Sequence, residues 1–318
     1  MNKDYLIFGA PFIEPEEIEE VVRTLSSGWI GTGPRVQRFE DNFKLYKKAS
    51  NAVAVSSCSA ALHLSLLASE LKPGDEVIVP AMTFCATVNA IIHSGVTPVM
   101  ADVDPRTMNI DPKNIQDRIT KKTKAILLVH FAGRPCKMDE ITDIANQHNL
   151  LVIEDCAHAI ESEYKGKHCG TFGDYGCFSF YVTKNITTGE GGMVVCKDEE
   201  QSSNIKTMAL HGLSKDAWSR FSDIGYKHYS VKVAGFKYNM TDIQAAIARI
   251  TTFPSDMERP VISQVVESDK VCRLGARNFQ RIAIEYGRHA ERARRLVMLH
   301  LPRGKQPLDI QLYDIATP

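Results

Sequence analysis

Lys184 is a residue whose type and sequence context suit covalent chemistry. It lies among aromatic and small polar residues in the run FSFYVTKNITTGEGG, and three glycines, Gly189, Gly191 and Gly192, follow it. A lysine in such surroundings could have a lowered pKa and act as an imine-forming amine. The competing interpretation is a solvated surface lysine, which for any single lysine is the commoner case.

Asp155 and His158 form a second group, in the run EDCAHAIESEY that follows the apolar segment LLVI. Ligands of open α/β sheets bind beyond the carboxyl ends of the strands. An acid at such a place could ligate a metal, act as a base or pair with a ring nitrogen. A helix cap or a salt bridge would also explain a single aspartate. His158 could reach the same ligand, or it could be a core histidine satisfied by backbone groups.

A third group, SSCSAA at residues 56–61, separates an apolar strand from a helix rich in Ala and Leu. Small residues let the backbone approach an anion, and hydroxyl and free N–H groups at a helix start can hold a phosphate. Ser57 or Ser59 could instead be an ordinary N-cap.

Regular elements must position these groups, and the sequence predicts an alternation of strands and helices. The predicted strands span residues 51–55, 76–79, 97–101, 125–130, 150–154 and 193–196. The predicted helices span residues 15–26, 35–48, 59–71, 83–93, 112–119 and 138–148. Because each strand is apolar throughout, we expect an α/β fold with a mainly parallel sheet covered on both faces.

Composition and charge argue against several classes of function. Lys plus Arg and Asp plus Glu both total 38, so the formal net charge is zero and neither nucleic acid nor an anionic membrane is an expected partner. We expect no membrane span and no signal peptide. The eight cysteines include no CxxC pair, which argues against a zinc site and favours a cytoplasmic protein with reduced thiols.

Five segments together resemble the DegT/DnrJ/EryC1/StrS family of sugar aminotransferases, from about residue 5 to residue 250. In chain order they are GWIGTGPRVQRFE, SSCSAALHLSL, PAMTFCATVNAI, DCAHAIESEYKGKHCGTFGDYGCFSFYVTKNITTGEGGMVV and GFKYNMTDIQAAI. The resemblance implies the aspartate-aminotransferase-like fold of enzymes that use pyridoxal 5′-phosphate (PLP). It also implies a PLP-binding large domain with an N-terminal arm over residues 1–250.

The resemblance implies a role at the cofactor ring for four residues. Lys184 would hold PLP covalently and then move a proton as the general acid and base. Asp155 would pair with the pyridine nitrogen, where a charge-assisted bond requires an acid. His158 occupies the position near the ring hydroxyl, and Phe84 matches the aromatic residue that stacks on the ring.

For the cofactor phosphate, the resemblance implies contacts from two hydroxyl groups and from a helix start. Ser59 and Ser179 would bind through their side chains, with the backbone N–H groups of Cys58 and Ser59 helping. The GFKYN segment would approach the phosphate of the neighbouring subunit, with Lys237 and Asn239 both candidates. The resemblance therefore implies a homodimer with shared active sites.

The amino donor implied by the resemblance is glutamate, and the acceptor is a nucleotide-linked keto sugar. HGLSKDAW (residues 211–218) and GFKYNMTD are similar to the branch that aminates UDP-4-keto-pentoses, which makes UDP-4-amino-4-deoxy-L-arabinose. The product would enter surface polysaccharide or lipopolysaccharide.

The last segment of the chain does not fit this pattern. Residues 1–250 contain 19 Lys and 8 Arg, whereas residues 251–318 contain 2 Lys and 9 Arg. We expect an atypical C-terminal segment, poorly ordered and arising from a frameshifted or otherwise altered reading; translation of the gene in its other frames tests this.

An inactive family member with a binding or regulatory role is one alternative to the aminotransferase. A nucleotide-binding protein without PLP is another, weakened by the missing GxGxxG motif.

Overall fold

The computed structural model describes residue 11, residues 13–213 and residues 230–248. The helices in this part of the chain are α1 (Pro15–Ser27), α2 (Pro34–Lys47), α3 (Cys58–Ala68), α4 (Cys85–His93), α5 (Pro112–Arg118), α6 (Met138–His148), α7 (Glu199–Ala209) and α8 (Asp242–Ile247). The strands are β1 (Asn51–Val55), β2 (Glu76–Pro80), β3 (Thr97–Ala101), β4 (Thr123–Val129), β5 (Leu151–Asp155), β6 (Glu163–Tyr164), β7 (Lys167–His168), β8 (Tyr175–Ser179) and β9 (Gly192–Cys196). Among the described helices, none is both long and apolar enough to cross a membrane.

Seven of these strands form one sheet in the order β1-β9-β8-β5-β4-β2-β3. Within this sheet, β9 is antiparallel to both of its neighbours, and all other neighbouring strands are parallel. The predicted mainly parallel sheet is therefore confirmed. The carboxyl ends of β1, β5 and β8 lie at the same edge, which places the three chemical groups of the sequence near one another.

Both faces of the sheet are buried, which explains the continuous apolar strands. Val77 and Val79 of β2 pack in the same core cluster as the apolar residues of α3, whereas Ile78 packs in the cluster that contains those of α5 and α6. Alternate residues of a strand point to opposite faces, so helices cover the sheet on both sides. A third cluster joins α2 and α8 to the sheet.

Three predicted boundaries near the candidate site are wrong by one to three residues. The helix predicted from residue 83 begins at Cys85, because Phe84 has extended backbone angles and is the N-cap. The strand predicted to end at residue 154 includes Asp155, whose backbone pairs with β4 and β8. The helix predicted to reach residue 71 ends at Ala68, before Glu70 with φ of 54°. Residues 251–318, the predicted atypical segment, lie outside the described residues.

Behind the site, the carboxylate of Glu154 holds the loop that leads to β8. It accepts hydrogen bonds from the backbone N–H groups of Gly170, Phe172 and Gly173 at 2.7–2.8 Å, and from Nε2 of His130 at 2.9 Å. Nδ1 of His130 accepts from a backbone N–H, so Nε2 carries the ring proton. Burial opposes ionisation of Glu154, but these hydrogen bonds lower its pKa below the ordinary value.

His130, Glu154 and Cys156 come close enough together to share a metal ion. Both ring nitrogens of His130 and both carboxylate oxygens of Glu154 are already engaged in hydrogen bonds within the chain. The cluster is therefore a hydrogen-bonded part of the core.

Asp242 joins two of the segments that carry the family resemblance. Its buried carboxylate accepts hydrogen bonds from the backbone N–H groups of Gly33, Arg35 and Val36 at 2.8–3.1 Å, which caps the start of α2. A Cβ at Gly33 would lie 2.9 Å from that carboxylate, so glycine permits the close approach. GWIGTGP and GFKYNMTD therefore pack as one unit.

Candidate active site

Lys184 lies in a tight turn after β8, next to the imidazole of His158. Its backbone N–H donates to the carbonyl of Tyr181 at 2.9 Å, and its Nζ lies 2.5 Å from Nε2 of His158. Burial lowers the pKa of the Lys184 amine, against the opposing effects of Cys58 and Asp155. Burial and the lysine charge also lower the pKa of His158.

Because both pKa values are lowered, Lys184 and His158 can share a proton. A neutral imidazole accepts a hydrogen bond from the ammonium, and the ammonium gives up its proton at a lower pH than an ordinary lysine does. The neutral amine is the form that attacks a carbonyl. The pair can therefore form an imine and exchange a proton at Nζ.

Asp155 is the last residue of β5, and only 5% of it is exposed. Oδ2 accepts from Oγ1 of Thr87 at 2.9 Å, and Oδ1 accepts from the backbone N–H of Ala157 at 3.1 Å. Sγ of Cys58 lies 4.0 Å from Oδ1. Burial raises the pKa of Asp155, and the hydrogen bonds from Ala157 and Thr87 oppose that rise. About four acceptor positions exist on a carboxylate, so Asp155 can accept a further N–H from a ligand.

The start of α3 supplies groups that suit a phosphate. Ser57 is the N-cap, and its Oγ accepts from the N–H of Ala60 at 3.1 Å. The N–H groups of Cys58 and Ser59 lie in the first turn, where a helix offers no acceptor, and the side chain of Ser59 is exposed. Burial and the nearby Asp155 raise the pKa of the Cys58 thiol, so it stays protonated. The helix start can therefore hold an anion.

Gly192 brings Ser179 close to this helix start. A Cβ at Gly192 would lie 2.4 Å from the carbonyl carbon of Ser57 and 2.7 Å from the backbone nitrogen of Cys58. Gly192 also pairs with Ser179 across β8 and β9. Oγ of Ser179 accepts from the N–H of Tyr181 at 3.3 Å, which leaves its own proton for a ligand.

Phe84 is 76% exposed and stands at the N-cap of α4, directly before the first helical turn, which contains Thr87. The same turn therefore carries Phe84 and the partner of Asp155. The place of the Phe84 ring over a cofactor ring stays a prediction.

Lys237 and Asn239 lie on a segment that runs beside the end of β1. Asn239 forms a bridge with Val55, and its Nδ2 donates to Oγ1 of Thr32 at 2.6 Å. Oδ1 of Asn239 is buried without a hydrogen-bond partner, whereas Lys237 is exposed. That Lys237 or Asn239 reaches the phosphate of a neighbouring subunit stays a prediction.

The residues fit PLP on three counts. A nucleophilic amine, a buried carboxylate and a helix start with free N–H groups lie at one edge of the sheet, near Cys58. The close packing of Gly192 against Ser57 shapes the helix start, since any Cβ there would displace it. The three chemical groups of the cofactor, its aldehyde, ring nitrogen and phosphate, therefore each have a matching protein group.

The roles of three residues at the site, Thr83, Thr87 and Gly192, were not predicted from the sequence. Thr87 donates to Asp155, and Thr83 contacts Thr87 at 2.8 Å between their Oγ1 atoms. Gly192 packs against the start of α3. The spacing of Thr83 and Thr87, four residues apart at a helix start, was the one available signal for the pair.

The family model of the DegT/DnrJ/EryC1/StrS aminotransferase family matches residues 11–252. The spore coat polysaccharide biosynthesis protein SpsC of Bacillus subtilis (strain 168) is 50% identical over 243 residues, which cover 76% of this chain and 62% of SpsC. The uncharacterized protein MJ1066 of Methanocaldococcus jannaschii is 53% identical over 237 residues, covering 74% of this chain and 61% of that protein. The chain thus spans less than two thirds of the length of these curated relatives.

Among solved structures, the chain is similar to a putative sugar aminotransferase, Spr1654 of Streptococcus pneumoniae. In its PMP-form the TM-score is 0.73 at 38% identity, over 77% of this chain and 66% of that chain. The same protein has also been solved in a PLP-form. DesI, solved in the presence of its TDP-sugar product, has a TM-score of 0.66 at 33% identity, over 76% of this chain and 59% of that chain.

Proposed function

The chain belongs to the DegT/DnrJ/EryC1/StrS aminotransferase family, and from this premise we propose that it moves an amino group from glutamate to a nucleotide-linked 4-keto sugar. The observation that carries the proposal is the pairing of Lys184 with His158 beside the buried Asp155. Pyridoxal phosphate is the cofactor. When bound, it supplies a ring that stabilises negative charge on the carbon that carries the amino group.

Lys184 has two tasks in this proposal. Its neutral amine bonds covalently to the cofactor, and burial favours that neutral form. With PLP and an amino donor bound, Nζ would act as the general base and acid that carries a proton away from the donor Cα and returns one. His158, 2.5 Å away, holds the free amine in place and keeps a second site for its proton.

Asp155 keeps the ring nitrogen protonated in this proposal. The carboxylate is buried, so its charge acts through a medium of low polarity, where an ion pair with the ring is strong. An amide in its place could accept a hydrogen bond but could not balance the positive charge.

The phosphate is assigned to the start of α3 and the end of β8. The N–H groups of Cys58 and Ser59 and the hydroxyls of Ser59 and Ser179 supply the donors, and the α3 dipole favours the negative charge. Phe84 is assigned to the ring face, where its exposed side chain could stack.

The sugar substrate is proposed from the relatives. SpsC is described as a spore coat polysaccharide biosynthesis protein, and DesI was solved with a TDP-sugar product. A nucleotide-linked sugar destined for surface polysaccharide is consistent with both. The UDP-4-keto-pentose branch stays a prediction.

We also propose a homodimer in the cytoplasm. Lys237 is exposed two residues before Asn239, which bridges Val55 at the end of β1, and this exposure supports a role towards a second copy of the chain. The seven described cysteines are free thiols, which supports a reducing compartment.

Incubation of the purified chain with PLP, glutamate and a panel of nucleotide keto sugars tests the proposal. Mass spectrometry should detect an amino sugar nucleotide and 2-oxoglutarate in equal amounts. Lys184→Ala should give neither product, whereas the exposed-site control Lys121→Ala should give both. Formation of amino sugar at an undiminished rate by Lys184→Ala would refute the assignment.

A further inference from the structure

Thr87 directs its hydroxyl at Asp155 instead of at its own helix. Serine and threonine side chains within helices commonly donate to a backbone carbonyl three or four residues back. Several residues in helices or at their C-caps do so in the described part of the chain, including Thr24, Ser65, Ser69, Ser94, Thr142 and Thr207. Thr87 departs from that pattern, since its Oγ1 lies 2.9 Å from Oδ2 of Asp155.

The direction of the hydrogen bonds follows from counting protons. Each threonine hydroxyl carries one proton, and the Thr87 proton goes to the carboxylate. Oγ1 of Thr83, 2.8 Å from Oγ1 of Thr87, must therefore donate to Thr87. The result is a chain of two hydroxyls, Thr83 to Thr87 to Asp155, and each member orients the next.

This chain is built into rigid structure. Thr87 is fully buried in the first turn of α4, and its backbone N–H donates to the carbonyl of Phe84 at 3.1 Å. On the opposite side of the carboxylate, the backbone N–H of Ala157 donates to Oδ1. Oδ2 is therefore held by Thr87, and Oδ1 by Ala157 with Sγ of Cys58 4.0 Å away, which fixes the plane of the carboxylate and leaves an acceptor position open on Oδ2.

We propose that Thr87, oriented by Thr83, is a positioning residue that aims the Asp155 carboxylate at the ring nitrogen of PLP. This inference rests on the proposed function, in which Asp155 pairs with that nitrogen. It adds that the start of α4 positions two contacts with the ring. Thr87 acts through Asp155 at the ring nitrogen, and Phe84, directly before the same turn, is assigned to the ring face. Without the Thr87 hydroxyl, the carboxylate would lose the donor on Oδ2 and could rotate away from the ring.

A comparison of two ligands tests the inference without measuring turnover. One ligand is PLP, and the other is its 1-deaza analogue, in which carbon replaces the ring nitrogen. Dissociation constants for both are measured by equilibrium absorbance titration of the full-length apo-protein, in the wild type and in Thr87→Val, Thr87→Ser and Thr83→Val. Valine has the shape of threonine without the hydroxyl, and serine restores the hydroxyl.

The wild type should bind PLP more tightly than the analogue. Thr87→Val should bind PLP about tenfold more weakly, the loss expected for one hydrogen bond to a charged group, and should bind the analogue as the wild type does. Thr87→Ser should restore most of the PLP affinity. Thr83→Val, which keeps Thr87 but removes its donor, should weaken PLP by about threefold and serves if Thr87→Val does not fold.

Equal weakening of both ligands in Thr87→Val would overturn the inference, because a general packing defect does not distinguish nitrogen from carbon. Unchanged PLP affinity in both valine variants would overturn it as well. If the wild type itself did not distinguish the two ligands, the pairing of Asp155 with the ring nitrogen would fail, and the role of Thr87 would fail with it. The two failures are distinguishable, because the wild type alone reveals the second.

Discussion

Lys184 differs from a surface lysine in two features of its surroundings. Its Nζ contacts the imidazole of His158, and burial lowers its pKa. Asp155 differs from a surface aspartate in the opposite sense, since burial raises its pKa while Thr87 and Ala157 hold both of its oxygens. The amine is thus more easily neutral, and the carboxylate is fixed in orientation.

The lowered pKa of Lys184 predicts a pH dependence for covalent attachment of PLP. Because only the neutral amine attacks, the attachment rate should rise with pH and level off below the ordinary lysine pKa of about 10.4. Stopped-flow absorbance from pH 6 upwards measures the rate, with N-acetyl-lysine methyl amide as the reference amine. A rate that keeps rising in parallel with the reference amine would contradict this prediction.

Replacement of the Asp155 carboxylate by an amide should separate binding from chemistry. Asp155→Asn should still attach PLP through Lys184, but the half-reaction with glutamate should slow by about a hundredfold or more, because the ring loses the balancing charge. Single-turnover absorbance measures the half-reaction, and the exposed-site control Asp117→Asn should match the wild type. A normal rate in Asp155→Asn would show that the carboxylate has another role.

At the scale of elements, the site depends on how closely β9 approaches α3. Gly192 touches the backbone of Ser57 and Cys58, and it pairs with Ser179 of β8. The donors at the helix start and the Ser179 hydroxyl are therefore positioned by one backbone contact between a strand and a helix.

Gly192→Ala should disturb this contact and the phosphate site together. The added Cβ would lie 2.4 Å from the Ser57 carbonyl carbon, so α3 must shift, at a cost of about 1–3 kcal/mol in the free energy of unfolding and a weaker affinity for PLP. Thermal denaturation and PLP titration measure the two effects. Gly31→Ala is the matched control, because its Cβ meets no atom within 4 Å. Wild-type stability and affinity in Gly192→Ala would contradict this account.

At the scale of the whole molecule, the sequence was informative wherever a local pattern decides the structure. All six predicted strands were placed within two residues, because apolar runs such as residues 125–129 have no helical periodicity. Lys184 and Asp155 were predicted as site residues from motif context and from their places after strands, and their roles stay a prediction. Thr87 was not identified, because its bond to Asp155 joins segments 68 positions apart along the chain. The contact of Gly192 with Ser57 was not predicted for the same reason, because a local sequence pattern does not indicate which distant segments lie close together in space.

The proposed homodimer with shared sites predicts complementation between two inactive variants. Lys184→Ala lacks the amine, and the double variant Lys237→Ala/Asn239→Ala lacks the groups assigned to the partner's phosphate. Mixed after dissociation and reassociation, they should form heterodimers with one intact site, which restores about a quarter of the wild-type activity. Each variant must first show wild-type thermal stability. Activity no greater than the sum of the separate variants would contradict shared sites.

Borohydride trapping measures whether Lys184 binds PLP covalently. The purified chain is incubated with PLP, reduced with borohydride and digested, and the modified peptide is identified by mass spectrometry. We expect one modified site, Lys184, in nearly stoichiometric amount, and no trapped PLP in Lys184→Ala. Label spread over surface lysines, or an unmodified Lys184 peptide at saturating PLP, would contradict it.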